Sequence, residues 1–372
     1  MPEAKSLLQP GEPLPWFNAV STAKTVYRLD HFAGRYIVLS LIGSSAVESS
    51  RQLLAGIMAR QALFDYTNLH FVGLSVDPND EAQNRLVDVP PGLRFIYDLD
   101  RTGSKLLGAA ALDDSPAAQK IYRRMTIVLD ERLRTIATLP LDDQNVEQHL
   151  QQLWTIVDDL PPLAAEAVAQ PQAPVLVVPR VFSPELCREL IAYYDTHGGV
   201  ESGFMREVDG KTVEVHNPDH KKRRDQEIAD EDLRKRAMFS LHARLMPEIQ
   251  RAFQFQATRI ERHIVACYDG SDGGHFRAHR DNTTKGTAHR RFAVSLNLNT
   301  GEYDGGRLKF PEFGRQLYEA PAGGAVVFSC SMLHEATQVT RGKRYAYLPF
   351  LYDEAAAKIR EANVRFLAKG QE

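Results

Sequence analysis

The sequence predicts two domains of different class, an α/β layer followed by a rolled β-structure with supporting helices. Three observations carry this. A chain of 372 residues is long for a single hydrophobic core. Continuous apolar runs alternate with helical periods over residues 1–160, and from Thr258 onward the pattern becomes short period-two runs between Gly-rich turns. Between them, DLPPLAAEAVAQPQAP at 159–174 has the Pro and Ala content of a semi-rigid linker. The expected division is therefore 1–160, a linker at 161–174, and 175–372.

In the first half, YIVLSLIG (36–43) and LHFVGLSVDP (69–78) are short apolar runs, the pattern of strands buried on both faces. Residues 44–66 between them place Leu53, Ile57, Met58 and Leu63 at helical spacing. LRFIYDLD (93–100) is a further strand, followed by the short helical stretch TGSKLLGAA. RRMTIVLDERLRTIATLP (123–140) predicts a hairpin turning at Asp130-Glu131, and NVEQHLQQLWTIVDDL (145–160) a closing amphipathic helix. Strands alternating with helices indicate a sheet covered on both faces.

PGEPLPWF (10–17), GRYIVLSLIG before a helix, FVGLSVDP (71–78), IYDLDRTGSKLLGA (96–109) and MTIVLDERLRTI (125–136) resemble, in order and spacing, a peroxiredoxin of the thioredoxin-fold group. The resemblance implies a thioredoxin-like domain. It departs from that family at the chemistry. The peroxidatic Cys of the family opens the helix after the first apolar strand, where the helix N-terminus lowers the thiol pKa. This chain has SSAVESSRQ there, and no Cys precedes Cys187. Thiol peroxidase activity is therefore not expected. The domain is expected to be a scaffold or interaction module; a docking surface for a protein substrate and a residual non-thiol activity stay open.

In the second half, VLVVPRVF (175–182) is an entering strand. Ser183 is placed as N-cap of the next helix, Pro184 at its first position and Gly198-Gly199 as its stop. Cys187 on this helix is a packed apolar residue or a reactive thiol. Residues 200–225 lack a steady period and are expected to be polar and mobile. Their cluster Lys221-Lys222-Arg223-Arg224 is a solvated face, or else a contact for an acidic substrate or part of a lid. Residues 229–253 predict one long helix. Strands then follow at 259–268, 275–281, 290–299, 306–312, 315–320, 324–329, 334–340 and 344–352, with DGSDGG, TGEYDGG and PAGG as turns. This is the signature of a double-stranded β-helix, or jelly roll, whose mouth suits a small-molecule site. EAAAKIREANVRFLAKG closes the chain as a helix.

Composition narrows the function classes. Hydrophobic content of 43%, charged content of 25% and a net charge of −3 are those of a soluble globular protein, with no reason to expect nucleic acid as partner. Three cysteines are too few and scattered for a disulfide framework, which fits a reducing cytoplasm. No apolar run approaches the ~18 residues of a membrane span, and the N-terminus lacks a signal-peptide core.

The chemistry converges on HFRAHRD (275–281). His279 and Asp281 share one face if this is a strand, with Arg280 pointing away. It is the one His-x-Asp among twelve histidines. With His334 in SMLHEATQV, it supplies two imidazoles and one carboxylate, the facial triad of non-heme Fe(II) with positions left open. Arg344 in VTRGKRY and Tyr268 in CYDGSDGG complete a pattern that resembles the prolyl 4-hydroxylase-like Fe(II)/2-oxoglutarate dioxygenases over residues 173–353.

The resemblance implies Fe(II) on His279, Asp281 and His334, and 2-oxoglutarate with its far carboxylate on Arg344. It implies O2 as oxidant, and ascorbate as a further requirement to test. Tyr268 would add a hydroxyl to that carboxylate, and Asn297, if its strand alternates evenly, would line the same pocket. Lys343 should face away. Phe276 stands where many relatives have Tyr. His275 and His289 are expected at the surface rather than as a proton relay, and Arg307 is a candidate to face substrate. The expected activity is hydroxylation of a C–H bond, of a protein or peptide substrate of prolyl type. A non-catalytic binding or regulatory protein and a hydroxylase of a free small molecule are the alternatives. A homodimer is open.

Overall fold

The computed structural model describes residues 4–113, 115 and 121–368, and the chain divides into two units, Met1–Ala167 and Val168–Glu372. In the first unit, Tyr36–Gly43, Leu69–Ser75 and Leu93–Tyr97 run parallel at the centre of the sheet. Met125–Leu129 and Thr135–Pro140 extend it antiparallel on one side. On the other lie Asn18–Ser21 and Val26–Arg28, two strands the sequence pattern did not reveal because neither is continuously apolar. Alternate residues of the central strand enter different cores. Ile37, Leu39 and Leu41 enter one; Tyr36, Val38 and Ile42 enter the other, with Leu53, Ile57 and Leu153 of the helices Glu48–Ala59 and Val146–Asp158. Burial on both faces explains why YIVLSLIG has no polar alternation.

Among the described residues the second unit has two main sheets, besides the two-stranded pairs Phe204–Val208 with Lys211–Val215 and Asp304–Gly305 with Val339–Arg341. The larger runs, in order, through Arg259–Glu261, Phe350–Tyr352, Phe292–Asn297, Lys343–Tyr347, Ile264–Asp269, Arg224–Glu227 and Val200–Glu201, with Ala325–Ser329 and Leu176–Val178 joined at Phe292–Asn297. The smaller runs through Lys221–Lys222, His275–His279, His334–Ala336, Leu308–Lys309 and Leu317–Tyr318. Helices Pro184–His197, Glu231–Arg244 and Met246–Phe253 pack against Val265, Cys267, Val294, Leu296, Tyr345 and Tyr347 of the larger sheet. The intervening residues Tyr268, Ser295, Asn297 and Arg344 therefore take its other face. There, Leu308 of the smaller sheet shares an apolar cluster with Ala293, Val326, Phe328 and Phe350 of the larger.

Several expectations need correction. Residues 200–225, expected to lack regular structure, contain several strands. Phe204–Val208 and Lys211–Val215 form a hairpin, Lys221–Lys222 is an edge strand of the smaller sheet, and Arg224–Glu227 lies in the larger sheet between Ile264–Asp269 and Val200–Glu201. The residues this segment buries, Thr212, Lys221 and Arg223, are polar or charged rather than apolar, so hydrophobic periodicity could not find it. The single helix expected at 229–253 breaks at Leu245, and Pro247 sits in the first turn of the second piece, where its missing N–H is harmless. The C-terminal helix ends at Asn363, followed by a 3-10 turn at Val364–Phe366; the last residues assigned to it in sequence, 369 and 370, lie outside the described residues.

Capping follows the sequence more closely. Ser183 Oγ accepts the backbone N–H of Leu186 at 3.3 Å, Pro184 begins the helix and Gly198 ends it at φ +70. Ser183→Ala should destabilise this unit by about 1 kcal/mol in urea unfolding.

Candidate metal centre

His279 ends the strand His275–His279 and is paired in register with His334 on the antiparallel strand His334–Ala336. A shift of register between Phe276 and His279 interrupts the ladder, and Asp281 lies past the strand end, its N–H donating to Cys330 O at 3.0 Å. The three side chains nonetheless converge: one ligand atom from each lies within 4.8 Å of the others. His279 Nε2 is 3.5 Å from Asp281 Oδ1, and His334 Nε2 is 3.4 Å from Asp281 Oδ2. Each imidazole places Nδ1 against a backbone carbonyl, Arg277 O at 2.7 Å and Met332 O at 3.0 Å. An Nδ1–H donated there leaves the Nε2 lone pair aimed at the carboxylate.

The protonation states suit a cation. Burial pushes His334 down to about 4, against the pull of Asp281, so the imidazole is neutral at ordinary pH. Burial works against ionisation of Asp281, but His334 and His279 outweigh it and hold the carboxyl far below its usual range. Neutral imidazoles and an ionised carboxylate are the forms a metal binds. Phe276 stacks on the His279 ring with centroids 3.5 Å apart, and Phe328 packs on His334 at 4.5 Å. The rings fix the imidazoles by shape.

The triad faces a cavity of about 330 Å³ between the sheets, whose lining includes Tyr268, Ser295 and Arg344. Arg344 is 2% exposed and has no ion-pair partner among the described residues. Its Nη2 donates to Ser295 Oγ at 2.7 Å and Asn297 Oδ1 at 2.9 Å, while its Nε has no partner. At Gly306, φ +65, a Cβ would fall 2.8 Å from Arg344 Cδ, so the side chain needs glycine there. Lys343 faces away, 3.6 Å from Asp269.

Residues 263–352 match the model of the 2OG-Fe(II) oxygenase superfamily. This stretch is a 2OG-Fe(II) oxygenase domain. The oxygenase domain also resembles a PKHD-type hydroxylase of Shewanella frigidimarina, 48% identical over 56 residues, 15% of this chain and 25% of that protein. A second, from Thioalkalivibrio sulfidiphilus, is 34% identical over 127 residues, 32% of this chain and 55% of that protein. The chain thus spans between 25% and 55% of the length of these curated relatives. Among solved structures, a thiol peroxidase from Chromobacterium violaceum aligns with TM-score 0.32 and 18% identity, covering 43% of this chain and 93% of that one.

The superfamily implies Fe(II), 2-oxoglutarate and O2. The residues fit: two Nε2 atoms and a carboxylate suit a ferrous ion, and a buried guanidinium with a spare donor and no acid suits a carboxylate.

The oxygenase domain places other residues differently from expectation. Asn297 is not in the cavity lining; its Oδ1 accepts from Arg344 and its Nδ2 donates to Ala320 O at 3.1 Å, so it orients the arginine. Ser295, two residues earlier on the same strand face, lines the cavity instead. Tyr268 does line it, under the Arg344 guanidinium at 5.1 Å, with its hydroxyl 3.4 Å from Arg223 Nη1. His275 is buried, its ring nitrogens 2.8 and 3.2 Å from the carbonyls of Gly273 and Asp219. His289 is buried as well, 2.8 Å from Glu261 Oε2, which Arg290 also engages through two donors. Asp219 and Glu261 lie far off in sequence, which is why surface positions were expected. Arg307 pairs with Glu319 at 3.3 Å and is not in the lining.

Sequence reasoning treated residues 221–224 as one cluster, a solvated face or else a substrate contact or lid, and did not single out Lys221 and Arg223 as the cavity residues. Lys221 is 4% exposed and Arg223 6% exposed, whereas Lys222 and Arg224 of the same run turn outward. The alternation of an extended segment splits the basic cluster in two. Phe204 and His220 also line the cavity, their rings 4.4 Å apart.

In the first unit, the helix at the place expected for a peroxidatic thiol begins at Glu48 and carries Ser49 and Ser50 in its first turn, both buried. Ser50 Oγ donates to Ile42 O at 2.7 Å, Ser49 Oγ donates to Asp143 at 2.8 Å, and Arg124 bridges to both serines and Asp143. The hydroxyls are tied into structure. Cys187, Cys267 and Cys330 are all buried; burial pushes Cys187 up to about 12, Cys267 to about 11, and Cys330 well above a free thiol. Native protein at pH 8 should therefore leave all three thiols unlabelled by a disulfide reagent over minutes, and urea should expose all three. Fast labelling of any one in the native state would contradict this placement.

Proposed function

We propose that this chain is an Fe(II)- and 2-oxoglutarate-dependent dioxygenase that hydroxylates a C–H bond of a peptidyl substrate of prolyl type. The observation that carries the reading is a pair of features in one cavity: a His-Asp-His triad, and a buried arginine without an acid. His279, Asp281 and His334 hold the iron, and Arg344 binds the far carboxylate of 2-oxoglutarate with Ser295 beside it. When bound, the ferrous ion with 2-oxoglutarate and O2 supplies the oxidation, yielding succinate, CO2 and a hydroxylated carbon. The second unit is read as a double-stranded β-helix, the first as its scaffold or docking module.

The chain's own residues do the rest. Asn297 and Ser295 fix the Arg344 fork, so the co-substrate meets a preset donor rather than a mobile side chain. Phe276 and Phe328 hold the imidazole planes and exclude water from one flank of the metal position. Asp281 remains ionised and balances part of the ion's charge. The PKHD-type relatives support hydroxylation as the reaction.

Purified chain given Fe(II), 2-oxoglutarate and O2 should form succinate. Mass spectrometry of cellular protein, with and without this chain, should then reveal a substrate gaining one oxygen. No succinate with any candidate protein fraction, from a sample that binds iron, would defeat the reading.

A further inference from the structure

The cavity holds more positive charge than iron and 2-oxoglutarate chemistry accounts for. Three of its lining cations are answered within the protein: Arg223 by Asp225 at 2.5 Å, Arg280 by Glu312 at 2.6 Å, and Arg290 by Glu261 at 2.6 Å. Arg344 is assigned above. Arg206 is exposed and lies over the Phe204 ring at 5.4 Å; Lys221 and Arg262 remain, and neither forms an ion pair among the described residues.

Both are built in rather than incidental. Lys221 is 4% exposed; its Nζ reaches only neutral oxygens, Ser202 Oγ at 2.7 Å and Gly203 O, and lies 4.8 Å from the Phe276 ring centroid. Phe276 in turn stacks on His279, which brings this ammonium to the flank of the metal position. Arg262 uses its Nε alone, donating to Leu348 O at 3.0 Å, and stacks on Phe350 at 4.4 Å. Its two terminal nitrogens have no partner among the described residues. Its backbone is left-handed at φ +55, a conformation that a long side chain adopts only when its surroundings hold it. Beside them, Arg223 leaves its buried Nε unpartnered.

A buried cation held by neutral oxygens alone is costly: burial together with Arg223 pushes Lys221 well below its ordinary range, and the more distant Asp225 and Glu214 offset this only in part. A ligand anion would relieve that cost, since it desolvates against charges already fixed in place.

We propose that Lys221 and Arg262 form a subsite for a carboxylate of the primary substrate, so that the hydroxylated segment is an acidic peptide. This rests on the dioxygenase reading and adds the chemical class of its substrate. The carboxylate comes from an acidic side chain or from a peptide C-terminus.

The test uses the full chain and labelled peptide pools of fixed length with a central proline, differing only in flanking Glu, Gln or Lys, each as free acid or C-terminal amide. Fluorescence anisotropy should show the Glu pool binding about tenfold tighter than the Gln pool, with the Lys pool weakest. A Glu preference kept in the amides assigns a side chain; a preference for free acids in every pool assigns the chain terminus. Lys221→Met and Arg262→Gln should each reduce the preference, and Arg262→Lys should restore part of it. Equal binding of Glu and Gln pools, with no free-acid preference, would overturn the proposal. So would an Arg262→Gln rise in the 2-oxoglutarate KM matching that of Arg344→Ala, because it would assign Arg262 to the co-substrate. Succinate formation with the same pools separates the two readings. Turnover without acidic preference defeats the subsite alone, and acidic binding without any turnover defeats the dioxygenase reading alone.

Discussion

Asp281→Ala is expected to abolish iron loading and turnover together. Asp281 is the one anionic donor of the set, held between His279 Nε2 and His334 Nε2 at 3.5 and 3.4 Å. Removing it leaves two imidazoles, too few donors and no anionic charge to offset a dication. Loss of residues that merely support a metal ligand costs about 10–100-fold in affinity, so loss of a ligand should exceed about 100-fold. His334→Ala should behave alike. Arg280→Ala provides the contrast: its guanidinium turns to Glu312 and Ser331 O, so iron content should stay within about twofold. Iron per chain after anaerobic loading and desalting measures all three. An Asp281→Ala protein that retains stoichiometric iron would remove the basis of the proposed function.

The second large effect is at Arg344. Arg344→Ala should leave iron bound and raise the 2-oxoglutarate KM by about 100-fold or more, since truncating one partner of a buried charged pair costs roughly 2–5 kcal/mol. The variant also strands Ser295 Oγ and Asn297 Oδ1, which lose their donor. Arg344→Lys keeps the charge without the planar fork and should fall between the two. The readouts are succinate rate against 2-oxoglutarate concentration and iron content of the same preparations. Unchanged KM in Arg344→Ala would place the carboxylate elsewhere, with Arg262 the next cation to test.

Asn297 illustrates where strand reasoning stops. Period two put it correctly on the cavity side with Ser295, but the order of residues within the cavity depends on depth. Ser295 faces the open volume, whereas Asn297 is occupied between Arg344 and Ala320 O. Asn297→Ala should then act through the arginine. Phe276 shows the same limit. Its position three before His279 was visible, but its stacking on that ring depends on the irregular ladder between them.

By itself the sequence pointed to two halves of different class and to His279, Asp281 and His334 as candidate metal donors, which the fold brings together. Those are local properties: apolar period, turn chemistry, and a His-x-Asp with a later His and Arg. Only the tertiary structure decided which charges are buried. Lys221, Arg223, His275 and His289 look like surface residues in one dimension. Their burial is made tolerable by Ser202, Tyr268, Asp219 O and Glu261, partners that other strands and loops deliver, with Asp225 a near neighbour of Arg223 besides. A charge enters a protein interior when a partner meets it there, and that meeting is a property of the folded sheets rather than of any stretch of chain.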